Sequence, residues 1–304
     1  VARQNVHRRP GRTRIEAADV VAPSPRSVRP VPDPQTPRAL AVAPQTLLLD
    51  LDGTLVTPEG VIPGADDALA RLRADGHRLL FLTNTDSQAT TALRASLGER
   101  GLAVGGEELV TPVVAAAGAL ADVPDARVLL LASDAVREEL AARLRLVDAG
   151  ERATHVVVGD VRATLSYPLL DAAFAALHAG ARLVALQKGP FFLAGGAAHL
   201  DTGAVVAALE YAARVEALVV GKPSPAFAAL ALRSLTEPPD PARTWVVGDD
   251  ATSDVAMGLA AGLRTVQVRT GKHALQADDD ALPRPEHVID SIADLPDLLR
   301  ELAG

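Results

Sequence analysis

The segment Asp50-Leu51-Asp52-Gly53-Thr54 holds the clearest chemical potential in this sequence of 304 residues. Side chains at i and i+2 of an extended chain project to the same side, and Gly53 permits a sharp turn where the apolar run Thr46 to Leu49 ends. One carboxylate of such a pair can attack phosphorus and form an acyl phosphate. The other can protonate a departing oxygen and later deprotonate the water that attacks next. A strand-terminating turn with two solvated acids is the plainer alternative. A calcium loop is excluded by spacing, because position 12 counted from Asp50 is Val61 and not the bidentate Glu such a loop requires.

Three more polar clusters follow apolar runs. Arg78 to Leu82 leads into Thr83-Asn84, a hydroxyl and an amide that could donate to phosphoryl oxygens without adding charge, or could simply form a turn or helix cap. Ala217 to Val220 leads into Gly221-Lys222-Pro223-Ser224-Pro225, where the prolines fix the backbone after the lysine. A lone lysine is commonly a solvated surface charge, but this chain uses twenty-seven arginines for three lysines. A compact ammonium at a buried anionic site is a role that arginine fills poorly. Trp245 to Val247 leads into Gly248-Asp249-Asp250-Ala251-Thr252-Ser253-Asp254, hard oxygen donors of the kind that suit magnesium. Acids at a helix start, stabilised by the helix dipole, are the alternative there. A second Val-Val-Gly-Asp, ending at Asp160, is followed five residues later by Leu165 instead of an acid, which marks it as an ordinary strand end.

The elements that must hold these groups alternate short Leu- or Val-rich runs with Ala/Leu/Arg segments of helical period, the pattern of an α/β fold with a mostly parallel sheet. Ligands of open parallel sheets sit beyond the carboxyl ends of the strands, so four runs ending in polar groups imply one convergent site. Helices are expected over Ala65 to Ala74, closed by Gly76, and from a Ser87 cap to about Arg100, stopped by Gly101. Residues 123–204 form a separate α/β series, with strands at Arg127 to Leu131, His155 to Val158 and Arg182 to Leu186 and helices around Ala135 to Leu146 and Pro168 to Ala179. This stretch is expected to be an inserted domain over the strand ends, between core segments 45–122 and 205–304.

Composition bounds the remaining classes. The absence of cysteine removes disulfide scaffolds, thiol catalysis and thiolate metal sites. Residues 1–44 contain eight Arg, three acids and eight Pro without apolar periodicity, the composition of a disordered tail. The body then carries a formal charge of −13, which argues against a nucleic-acid surface. Arg8-Arg9 lacks the apolar stretch of an export signal, and no run is long enough to span a membrane, so a cytoplasmic location is expected.

Taken in order, Leu49 to Leu55, Phe81 to Asn84, Gly221 to Pro225 and Val247 to Asp254 resemble the four motifs of the haloacid dehalogenase (HAD) superfamily of phosphatases. The insertion between the second and third motifs resembles the large cap of subfamily IIA. Ala208 to Ala213, Val219 to Pro225 and Val268 to Lys272 are most similar to the branch containing phospholysine phosphohistidine inorganic pyrophosphate phosphatase. Members of that branch can carry Ser where this chain has Asp52, and the segment Leu186 to Phe192 matches the branch's cap loop only in part.

The resemblance implies a Rossmann-like HAD core with an inserted α/β cap, and a Mg²⁺-dependent phosphatase of small phosphorylated compounds. It assigns Asp50 as nucleophile, Asp52 as acid and base, and Thr83, Asn84 and Gly53 to the phosphoryl group. Lys222 would offset charge, and the metal would rest on Asp50, the backbone carbonyl of Asp52, Asp249 and Asp254. Lys188 and Phe191-Phe192 are expected to touch substrate or, alternatively, to pack in the cap. No nucleic-acid or membrane partner is expected, and a homodimer stays open. A phosphotransferase or mutase shares the same chemistry, and an idle phosphate-binding scaffold shares the fold. A receiver domain would lack the cap, and haloalkanoate dehalogenation would not need the acidic pair.

Overall fold

The computed structural model describes residues 43–195 and 197–303; the tail expected over 1–44 lies outside them except for Ala43 and Pro44. Strands with continuous apolar sequence require cover on both faces, and the first sheet meets that condition. Its order is His287–Ile289, Arg264–Val268, Thr244–Gly248, Thr46–Asp50, Arg78–Leu82 and Leu109–Val110, with every neighbouring pair parallel. Side-chain alternation sorts the central strand. Leu47 and Leu49 join Leu69 and Leu72 of the helix Ala65–Ala74, whereas Leu48 joins Val113 and Leu120 of the helix Pro112–Ala121 on the other side.

A second parallel sheet runs Leu218–Val219, Arg182–Ala185, His155–Val158, Val128–Leu131 and Leu146–Val147. One face, with Val128, Leu130, Val157 and Val184, shares a hydrophobic cluster with Leu48, Leu80 and Val246 of the first sheet. The opposite face packs Leu131, Val156 and Leu183 against Ala173 and Leu177 of the helix Tyr167–His178 and Val206 and Leu209 of the helix Thr202–Ala213. Among the described residues no helix is long and apolar enough to cross a membrane.

Three expectations shift. The run Ala217 to Val220 does not enter the first sheet: Leu218 and Val219 pair with Val184 and Ala185 at the edge of the second. The helix Thr202–Ala213 also packs against that sheet. The helix expected over Ala135 to Leu146 stops at Ala141, because Leu146 and Val147 pair with Val128 and Leu129 as an edge strand. Ser87 does not cap its helix, which starts at Thr90 after Ala89; the Ser87 carbonyl instead accepts from Ser133 Oγ at 2.9 Å.

The carboxyl ends of the second sheet's strands meet the loop that follows Arg78–Leu82. Besides Ser133 to Ser87, Thr202 Oγ1 donates to Asp86 Oδ2 at 2.7 Å, and Asn84 bonds to Lys222. The second sheet's end of the molecule is therefore joined to the loop that carries Asn84, Asp86 and Ser87.

Candidate active site

Asp50 is the last residue of the Thr46–Asp50 strand, so its carboxylate leaves the sheet at the carboxyl edge, as the fold class requires. Thr54, brought back by the turn at Gly53, donates to Asp50 Oδ2 at 2.9 Å. Lys222 Nζ donates to Asp50 Oδ1 and, at 2.7 Å, to Asp254 Oδ1. Asp249 and Asp254 follow the adjacent Thr244–Gly248 strand and the start of the next helical segment. Carboxylate oxygens of Asp50, Asp249 and Asp254 lie within 4.8 Å of one another, all three residues buried. Here a Cβ on Gly53 (φ +85°) would overlap the Asp249 carboxylate, and one on Gly271 would overlap the same group from the other side. Both positions demand glycine for close approach.

The charges do not balance. Burial, then the neighbouring charges of Asp50 and Asp254, holds the Asp249 carboxyl well above the usual carboxylate range. Burial likewise raises Asp254 to about 7 against the pull of Lys222. Burial alone would lower the Lys222 ammonium, but Asp254 and Asp50 override it and push its pKa up. Three buried acids around one lysine leave excess negative charge, and oxygen donors of this number and hardness fit a divalent cation such as magnesium. Asp250, next to Asp249 in the chain, bonds to a different set of residues. Burial would raise it, yet Lys272 Nζ at 2.8 Å, Thr252 and Gln276 hold it below the usual range.

Asp52 keeps an open face to solvent. The crowded cleft and then the charge of Asp50 raise its carboxyl above the ordinary value, against hydrogen bonds from Thr85 Oγ1 at 3.0 Å and Thr83 Oγ1 at 3.3 Å. Thr85 had no place in the sequence reading; its position two residues after Thr83 on an extended chain is the signal that could have found it. Lys272 also gains a role through its backbone, whose N–H donates to Asp249 Oδ2 at 2.7 Å. Thr270 Oγ1 donates to the Gly53 carbonyl, and Gln267 Nε2 donates to the Asp249 carbonyl at 2.9 Å. These contacts fasten the stretch from Gln267 to Lys272 onto both Gly53 and Asp249.

Two sequence candidates stand elsewhere. The Asn84 side chain uses Oδ1 to accept from the Lys222 N–H at 2.9 Å and Nδ2 to donate to the Lys222 carbonyl at 3.0 Å. Both bonds go to the backbone of Lys222, whose ammonium lies in the acidic cluster. Lys188 Nζ pairs with Glu210 at 2.8 Å on the inserted domain, away from the acidic cluster's own partners. Nearby, the hairpin strand Phe191–Ala194 sets Phe191 5.9 Å from Lys272 Nζ and Phe192 4.2 Å from the Arg162 guanidinium. Asp86 is buried at the same junction. Burial, with Asp201 and Asp160 close by, raises its carboxyl to about 7 despite the hydrogen bond from Thr202.

Comparison with known proteins decides the family. The model for haloacid dehalogenase-like hydrolases matches residues 47–143, and a second HAD-hydrolase-like model matches 219–295. The haloacid dehalogenase-like hydrolase domain-containing protein 2 of Bos taurus is 33% identical over 241 residues, which are 79% of this chain and 90% of that protein. The chain belongs to the haloacid dehalogenase-like hydrolase family. Other members similar to it are chronophin of Mus musculus, 37% identical over 83% of this chain and 91% of its own length, and the phospholysine phosphohistidine inorganic pyrophosphate phosphatase of Homo sapiens, 31% identical over 84% and 94%. The branch named from Ala208 to Ala213 and Val219 to Pro225 is thus among the relatives of this HAD-like hydrolase. Its structure resembles a p-nitrophenyl phosphatase from Archaeoglobus fulgidus, with TM-score 0.77 and 29% identity over 84% of this chain and 99% of that one. It also resembles a glycerol phosphate phosphatase from Mycobacterium tuberculosis in complex with magnesium, with TM-score 0.74 and 32% identity over 86% and 80%.

Proposed function

We propose that this HAD-like hydrolase is a Mg²⁺-dependent phosphatase of small phosphorylated compounds that works through a phosphoaspartate on Asp50. The observation that carries the reading is the buried set Asp50, Asp249 and Asp254, oxygens within 4.8 Å, joined to Lys222. A dianionic phosphate would be repelled by that set alone. Asp50, Asp249 and Asp254, with the Asp52 backbone carbonyl, would hold the magnesium. Bound there, the ion would offset charge as the phosphoryl group approaches.

The residues of the chain perform the transfers. An oxygen of Asp50 attacks phosphorus while the bond from phosphorus to the leaving oxygen breaks. Asp52, whose raised pKa favours its protonated form, gives its proton to that oxygen. Asp52 then takes a proton from water, the water oxygen attacks phosphorus, and the bond to Asp50 breaks to release phosphate. Thr83 and Thr85 orient Asp52 through their hydroxyls, and Lys222 holds Asp50 with its charge partly offset. Phosphate esters fit the small-substrate names of the two phosphatases that share the fold. In p-nitrophenyl phosphate hydrolysis with Mg²⁺, Asp50→Asn should remove activity, and a chelator should do the same to the unaltered chain. Hydrolysis that survives either treatment contradicts the mechanism.

A further inference from the structure

The chain returns from the inserted domain to the core at Lys222. The last hydrogen bond of the second sheet there runs from Val220 N to the Ala185 carbonyl at 3.0 Å, and two residues later the Lys222 ammonium sits between Asp50 and Asp254. No strand of the first sheet carries this lysine, so the core sheet does not set its register. Asn84 bonds to the same stretch of backbone. The amide of Asn84 pairs with both the N–H and the carbonyl of Lys222, a two-point contact across 138 residues, as a neighbouring strand would make. Space at the preceding residue is equally constrained. A Cβ on Gly221 would lie 2.5 Å from the Leu186 carbonyl of the inserted domain, 2.7 Å from Asn84 Oδ1, and 3.2 Å from Pro112 at the start of the helix Pro112–Ala121.

We propose that Asn84 is a positioning residue for the proposed phosphatase reaction: its side-chain amide sets the backbone of Lys222 so that the ammonium reaches Asp50 and Asp254. This deepens the reading above and rests on it. The side chain of Asn84 then acts on the reaction through Lys222. Removing the amide frees the backbone of the segment that joins the two domains, and a displacement of about 1 Å at a reacting group can cost on the order of 10²-fold in rate.

The chain has three lysines, Lys188, Lys222 and Lys272, so selective isotopic labelling of lysine gives a small set of side-chain NMR signals. The full chain is compared with Asn84→Ala and with Asn84→Asp, which keeps the size and the acceptor but loses the donor to the Lys222 carbonyl. In both variants the Lys222 side-chain signal should move while those of Lys188 and Lys272 stay. With p-nitrophenyl phosphate and Mg²⁺, kcat should fall about 10- to 100-fold with KM changed less than about threefold. If Asn84→Ala does not fold, Asn84→Asp carries both measurements. An unmoved Lys222 signal in a folded variant, or an unchanged kcat, overturns the proposal. A chain that hydrolyses no phosphate ester at all refutes the phosphatase reading alone, because the Lys222 signal still reports whether Asn84 sets its position.

Discussion

Asp86 makes a quantitative prediction about stability. Its carboxyl is 4% exposed, accepts from Thr202 Oγ1 at 2.7 Å, and faces Asp160 and Asp201 as well as Arg162. Its pKa is raised from 3.8 to about 7, chiefly by burial. An acid raised in the folded state holds a proton that the unfolded chain has released, between about pH 4 and 7. Its contribution to stability is therefore intact below the unfolded value and is lost as pH rises through that window, at 1.36 kcal/mol per unit. The full rise amounts to about 4 kcal/mol above pH 7. Asp86→Asn removes the titration but keeps an acceptor for Thr202. In urea denaturation of the full chain, the variant should gain on the original protein steadily from about pH 4 to about pH 7, by a total on the order of 4 kcal/mol. A difference that stays constant with pH, within about 1 kcal/mol, would refute the reasoning, because Asp86 would then be ionised in the fold.

Two other outcomes follow from the acidic cluster. Gly53→Ala places a methyl group against the Asp249 carboxylate at a positive φ, and should cost about 2–4 kcal/mol in denaturant stability from overpacking and backbone strain. Mg²⁺ at about a hundred times its dissociation constant should stabilise the chain by about 2.7 kcal/mol; Asp249→Asn should raise the metal-free melting temperature and lose most of the Mg²⁺ gain, both measured by calorimetry with and without chelator.

The legible parts of this fold are those whose information is local. Leu47 to Leu49 and Trp245 to Val247 are buried on both faces, so their apolar runs end where the sheet ends and Asp50 and Asp249 emerge there. The run Ala217 to Val220 looks the same in sequence. Its sheet is decided by pairing with Val184 and Ala185, and nothing within the run distinguishes that partner from a core strand. Asn84 stands out in sequence by rarity, but its hydrogen-bond partner Lys222 lies 138 residues away, and no local pattern could show that pairing. Leu146 continues the helical period of the segment before it, but its pairing and that of Val147 with Val128 and Leu129 are long-range and override that period. Lys188 is as scarce a residue type as Lys222, and its pairing with Glu210 on the helix Thr202–Ala213 spans 22 residues that no local pattern links.

The short step from Val220 to Lys222 also limits how caps can be exchanged between members of such a family. Val220 still belongs to the hydrogen bonding of the second sheet, and Lys222 already belongs to the acidic cluster. One residue inserted in the bend between them would lengthen the chain by up to about 3.8 Å and carry the ammonium away from Asp50 and Asp254. A grafted cap can therefore vary in its loops, its outer helices and its hairpin, but its final strand has to hand over the chain at a set length and phase. Cap diversity on this core is free at the outer face and quantised at the exit.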